Sequence, residues 1–192
     1  MSPSLVCGLG NPDDAYARTR HNLGFMVLER LGSSLGTEMR PGKGEYLIGQ
    51  AEYLGRRVYL VTPLTYVNQS GVAVSDAVTR YDVALEDLLV ICDDCELPFG
   101  RMRLRKSGSH GGHRGLESVI YHLQSEDFPR LRIGIERSLS GDLADYVLSE
   151  FEQEERDRLP TVLEEAEKAI RFFLELGVEK AMSLVNRRVE VE

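Results

Sequence analysis

The sequence predicts an α/β protein: a three-layer α/β/α domain around a mixed, mostly parallel β-sheet. Short apolar runs of strand length alternate with segments of helical periodicity, the pattern of repeated βα units. The most apolar run, Leu88-Leu89-Val90-Ile91-Cys92, shows no polar alternation and reads as a central strand covered on both faces. An early pair of strands shares the tight turn Leu54-Gly55-Arg56, which inserts a hairpin. In chain order, Ser4 to Gly10 reads as a short buried strand, ended by Asn11-Pro12-Asp13-Asp14, which cannot continue a ladder. Val27, Leu28, Leu31 and Leu35 then recur at helical spacing. Residues 36–44 form a turn-rich connector with Pro41 and glycines at both ends. Strands follow over 45–53 and 57–62, and Pro63 closes the second. After Asn68-Gln69-Ser70-Gly71 a helix runs through Val72, Val74 and Val78 to about Tyr81. The central strand stops at Asp93-Asp94. Residues 101–106 alternate Met102 and Leu104 against Arg101, Arg103 and Arg105, the period of a half-exposed strand. The glycine-rich stretch 108–115 leads into a helix over 116–123, and 130–136 is a further strand. From about Asp142 the pattern is helical, with Pro160 opening a long helix through Phe172 and Phe173. No repeat or linker divides the chain, so one domain is expected over 1–192, with a helical carboxy-terminal part from about 142.

Composition narrows the function classes. Hydrophobic residues make up 42% and charged residues 28%, which excludes disordered, collagen-like and disulfide-scaffold chains. A chain of this length buries roughly two-thirds of its unfolded surface and folds without a structural metal. No apolar run approaches the ~18 residues of a membrane span, and the amino terminus has no leader pattern. Three sparse cysteines, Cys7, Cys92 and Cys95, suit a reducing compartment. A cytoplasmic protein with no membrane partner is expected. The net charge of −8 speaks against non-specific nucleic-acid binding, but the charge is unevenly placed. Between 101 and 114 lie five basic residues (Arg101, Arg103, Arg105, Lys106, Arg114) and no acidic one, whereas acidic residues dominate 150–168. Such a patch can hold a phosphate chain, or merely guard a strand edge against aggregation.

Several motifs invite chemistry. Gly8-Leu9-Gly10 follows a strand, but the dinucleotide fingerprint needs a third glycine where Asp13 stands, so the glycines are expected to let the backbone turn and approach a substrate. Cys92-Asp93-Asp94-Cys95 has redox or zinc spacing, yet no second pair completes it; Cys92 reads as a core hydrophobe and Cys95 as a loop residue. His110 and His113 flank two glycines and lack a third ligand of clear spacing, so they read as loop residues near a substrate or bonded to the backbone. No G-x-S-x-G elbow is present. In open α/β sheets, sites gather beyond the carboxyl ends of the parallel strands. Asn11, Asn68 and Asp93 all fall at such ends, and His21 opens the helix after the first strand. A histidine there acts as a general base if a carboxylate orients it, and Asp93 is the candidate.

Taken together, five blocks resemble the bacterial-type peptidyl-tRNA hydrolase family. They are Gly8-Leu9-Gly10-Asn11-Pro12 with Tyr16 and Thr19-Arg20-His21-Asn22-Leu23-Gly24-Phe25; Pro63 through Gly71; Asp93 through Gly100 with Arg103-Leu104-Arg105; Gly108 through Gly115; and Phe128 through Ile135. The resemblance implies hydrolysis of the ester joining a peptide, or an N-blocked aminoacyl group, to tRNA, in recycling for translation. It implies a monomer with no metal and no cofactor. It makes His21 the base that activates water and Asp93 the group that orients it. Asn11 recognises the peptide part, and Asn68 binds near the scissile carbonyl. Tyr16 and Tyr66 line the tRNA end, while Arg105 and Arg132 match positions associated with phosphates. The sequence departs from the family at Arg114, where an asparagine usually contacts substrate, and at Val67, where methionine is commoner. A non-catalytic RNA-binding relative of the same fold is the alternative, but it has no need of a water-activating pair.

Overall fold

The computed structural model describes residues 2–137 and 141–187; residues 1, 138–140 and 188–192 of the expected domain lie outside the described residues. The strands are β1 (Ser4–Gly8), β2 (Arg40–Pro41), β3 (Tyr46–Tyr53), β4 (Arg56–Pro63), β5 (Leu88–Asp94), β6 (Met102–Arg105) and β7 (Arg130–Gly134). The helices are α1 (Leu23–Ser34), α2 (Ser70–Arg80), α3 (Arg114–Leu123), α4 (Leu143–Val147), α5 (Gln153–Leu176) and α6 (Val178–Val185). One sheet runs in the order β2-β3-β4-β1-β5-β7-β6. Its centre, β4-β1-β5-β7, is parallel. Antiparallel pairings at both edges complete it.

Strand alternation assigns the layers. Val6, Leu89, Ile91, Leu131 and Ile133 pack on one face with α1, α5 and α6, whereas Leu5, Cys7, Leu88, Val90 and Cys92 pack on the other with α2 and α3. The central strand is therefore apolar on both faces, as its lack of alternation predicts. After β1 the chain forms β4 on one side and later β5 on the other, so the carboxyl end of β1 is a topological switch point.

Four details differ from expectation. The connector 36–44 contains the two-residue edge strand β2, too short to show a period. α3 begins at Arg114 rather than Leu116, because His113 caps it. α5 begins at Gln153, so Pro160 lies inside the helix instead of opening it. A capping box between Glu152 and Glu155 sets that start, and the buried face of Val162, Ala166, Ile170 and Phe173 carries the helix past the proline. Finally, Gly8 and Gly10, read only as turn residues, are also close packing contacts with the start of α1. A Cβ on Gly8 would strike the Gly24 carbonyl, one on Gly24 would lie 2.6 Å from the Leu9 nitrogen, and one on Gly10 would meet Phe25 and Asn22. These missing side chains bring the start of α1 onto the carboxyl end of β1, beside β5.

Candidate active site

His21 lies in a single 3-10 turn, Arg20–Asn22, all of it buried, immediately before α1. Two neighbours hold that turn. The Arg20 guanidinium is buried, pairs with the Glu155 carboxylate, and donates to Ser149 Oγ and the Glu150 carbonyl, both at 2.6 Å. It lies 4.4 Å from the Tyr146 ring centroid. On the other side, Asn22 Oδ1 accepts from the Asn11 backbone N–H at 2.8 Å, and Asn22 Nδ2 donates to the Asn11 carbonyl at 2.9 Å. One turn thus ties the loop after β1 to the carboxy-terminal helices.

Asp93 ends β5 and is 3% exposed. Its Oδ1 lies 2.9 Å from His21 Nδ1 and 3.1 Å from His113 Nε2. Burial alone would lower the His21 pKa, but the Asp93 charge and hydrogen bond outweigh it and hold the imidazole above its usual 6.5. Burial likewise pushes the Asp93 carboxyl up, and the attraction of His21 with the hydrogen bonds from His21 and His113 more than reverses this, holding it well below the usual carboxylate range. With Nδ1–H on Asp93, His21 presents Nε2 as a lone pair. Among the described residues that nitrogen has no partner.

Asn11 Oδ1 accepts from the Val67 N–H at 2.9 Å, so the amide group it can still offer is the Nδ2 donor. Asn68 follows Val67 in the 3-10 turn Val67–Gln69, which packs against α3, and its side chain is exposed. The structure therefore links His21 and Asp93 directly, and links Asn11 to them through Asn22. Tyr66 is 52% exposed and donates from its hydroxyl to Asp13 Oδ2 at 2.7 Å. Tyr16 lies partly buried in the preceding loop. Arg105 is exposed on edge strand β6, and Arg114 is exposed at the first position of α3; no contact joins either to the His21 network among the described residues. Arg132 is engaged with Asp94 at 3.2 Å and with the Ser109 and His110 carbonyls at 3.2 and 2.9 Å. Together with Arg130, which donates to the Gly108, Glu126 and Phe128 carbonyls, it fastens the glycine-rich loop that presents His113.

His21, Asp93 and His113 offer ligand atoms within 4.8 Å of one another, the outline of a metal site. The donor set does not fit one. His113 Nδ1 accepts the backbone N–H groups of Gly115 and Leu116, so the single ring proton sits on Nε2, which then has no lone pair for a metal. Sequence reasoning read His113 as a loop residue near a substrate or bonded to the backbone, and the backbone bonds are observed; it gave Asn22 and Arg20 no role of their own.

Known proteins resemble this chain in sequence and in fold. The sequence profile described as peptidyl-tRNA hydrolase matches residues 5–192. A peptidyl-tRNA hydrolase of Carboxydothermus hydrogenoformans is 47% identical over 183 residues, covering 95% of this chain and 98% of that protein. One from Caldanaerobacter subterraneus is 44% identical, again over 95% and 98% of the two chains. The crystal structure of peptidyl-tRNA hydrolase from Acinetobacter baumannii superposes with a TM-score of 0.90 at 33% identity, covering 96% of this chain and 95% of that one. Sequence over nearly the whole length and fold agree: the chain belongs to the peptidyl-tRNA hydrolase family.

Proposed function

We propose that the protein hydrolyses the ester between a peptide, or an N-blocked aminoacyl group, and the terminal ribose of tRNA, releasing tRNA for reuse in translation. The observation that carries this reading is the buried His21–Asp93 pair with its free Nε2. In the reaction, His21 Nε2 takes a proton from water as the oxygen attacks the ester carbonyl. Asp93 fixes the ring and favours the imidazolium that forms without taking the proton itself. The amide of Asn68 is a suitable donor to the developing oxyanion. As the tetrahedral intermediate collapses, His21 returns the proton to the ribose oxygen, leaving a peptide carboxylic acid and free tRNA.

Asn11 reads the amino end of the acyl group. Its acceptor is engaged by Val67, so only an N–H faces substrate. An N–H donor suits the carbonyl of a blocked amine and repels an ammonium, which also pays a desolvation cost there. Arg105 and Arg132 supply charge for tRNA phosphates, Arg132 by sharing its contact with Asp94, and Tyr16 and Tyr66 offer rings at the mouth. The same reading makes the chain a monomer working as one unit in the cytoplasm. Among the described residues no helix is long and apolar enough to cross a membrane. An RNA-binding relative without catalysis is not favoured.

The test is purified protein with N-acetylated aminoacyl-tRNA and its free-amine counterpart, each with and without chelator. The blocked ester should be cleaved and the free-amine ester largely spared, with chelator making no difference. Equal cleavage of both, or complete loss with chelator, would sink the assignment.

A further inference from the structure

His113 has no part in the reaction just described, yet its ring spans the gap between the first turn of α3 and Asp93. Its side chain is only 9% exposed. Nδ1 accepts from the Gly115 and Leu116 N–H groups at 3.1 and 3.2 Å. Those donors lie in the first turn of a helix and have no carbonyl of their own within it. A ring nitrogen that accepts hydrogen bonds carries no proton, so the ring is neutral and its one proton points from Nε2 to Asp93 Oδ1.

We infer that His113 is a positioning residue for the His21–Asp93 pair: a neutral donor, locked in one tautomer by the N-terminus of α3, that holds Asp93 Oδ1 against His21 Nδ1. The inference rests on the reading of His21 as the base. Two consequences follow from the geometry. Two donors on one oxygen fix the rotation of the Asp93 carboxylate, and with it the plane of the His21 ring. The His113 bond also draws on the charge that Asp93 presents to His21, so it moderates the rise in His21 basicity rather than adding to it.

The ring centroids of His21 and His113 are 5.0 Å apart, close enough that two imidazolium rings would repel. The other ionisable groups near the pair leave this picture unchanged. Asp94, next along β5, is paired with Arg132, and burial pushes the Cys92 and Cys95 thiols up, so they stay neutral.

Two experiments test the assignment. Long-range 1H–15N spectra of the wild-type protein between about pH 5 and 8 should show His113 with Nε2 protonated and Nδ1 bare throughout, while His21 titrates. An imidazolium or an Nδ1-protonated ring at His113 would overturn the inference, whatever the activity. The second uses His113→Asn, since asparagine caps helices well but is too short to reach Asp93. Its Tm should stay near wild type. Its kcat should fall about 10- to 100-fold with little change in KM, the scale of a hydrogen bond to a charged group. The acid limb of its pH–rate profile should move to higher pH, because Asp93 then acts undivided on His21. Wild-type kcat with an unmoved limb would overturn the role even if Tm dropped. An active His21→Ala enzyme would remove both the base and this role, whereas failure of the spectra alone leaves the base assignment intact.

Discussion

At the scale of single residues, chemistry depends on which atoms remain unpaired. His21 keeps Nε2 and Asn11 keeps Nδ2, while His21 Nδ1 is committed to Asp93 and Asn11 Oδ1 to the Val67 N–H. His21→Ala should therefore lower kcat by about 10²- to 10⁴-fold, the usual worth of a general base. A near-normal rate would refute the role. Asp93→Asn should lower kcat less and shift the acid limb in a stated direction. In the wild type, Asp93 raises the His21 pKa against burial, so activity falls as pH drops through a value above 6.5. Removing the charge leaves burial in control, so the limb should move to lower pH. A limb that moves up, or stays, would contradict the electrostatic account. The sequence offered Asp93, at the end of the apolar central strand, as the candidate carboxylate for the helix-start histidine His21, and the structure joins them by a hydrogen bond. The role of His113 was not legible, since it depends on where α3 begins, and helix ends are the least determined feature of a pattern.

At the scale of elements, close backbone approach and one buried ion pair set where His21 stands. Gly8 and Gly24 let α1 touch β1, and Arg20 binds the turn between them to α5 through Glu155. Glu155→Gln leaves the Arg20 charge buried without its counter-ion. Removing one partner of a buried pair costs about 3–5 kcal/mol, and the low end applies because Glu155 keeps 18% side-chain exposure. Thermal unfolding should show a clear fall in Tm, with a fall in kcat as the His21 turn loosens. An unchanged Tm would mean that the clasp contributes nothing. Pro160 makes the opposite point. A proline inside a helix removes one hydrogen bond and crowds the carbonyl four residues back, at about 3 kcal/mol in an exposed helix. Pro160→Ala should raise Tm without altering kcat, and a drop in Tm would show that the proline fits a bend α5 needs. Sequence rules place proline at a helix start, and here the capping box seven residues earlier wins.

Across the whole molecule, charge is partitioned. The net charge is −8, yet β6 and the loop after it carry Arg103 and Arg105 on an exposed edge, with Arg114 at the start of α3. Across β6 and β7, Arg103 stands opposite Arg132 and Arg105 opposite Arg130. Arg130 is buried and committed to backbone carbonyls and Arg132 is paired with Asp94, so the exposed charge this edge offers is that of Arg103 and Arg105. Affinity for tRNA should fall with salt, and Arg105→Ala should flatten the slope of log affinity against log salt by about 0.7 to 0.9, one phosphate contact. An unchanged slope would turn that strand away from the tRNA. Arg114 offers donors only, where the family's asparagine also accepts. Arg114→Ala should raise KM more than it lowers kcat, and less so at high salt. Loss of kcat at constant KM would put Arg114 in the chemistry instead.

By itself the sequence determined the order and type of most elements, the two-faced central strand, and the places of Asn11 and Asp93 near the carboxyl ends of β1 and β5, with Asn68 between a strand and a helix. Those follow from local periodicity and turn chemistry, which act within a few residues. The tertiary structure decided the rest. It put His113 and His21 on one Asp93 oxygen from segments 92 residues apart, engaged Arg132 with a loop, and set Gly8, read as a turn residue, against Gly24 in a contact between strand and helix. Each of these depends on atoms distant in the chain competing for the same donor, acceptor or space, and that competition exists only once the sheet and both helical layers have closed.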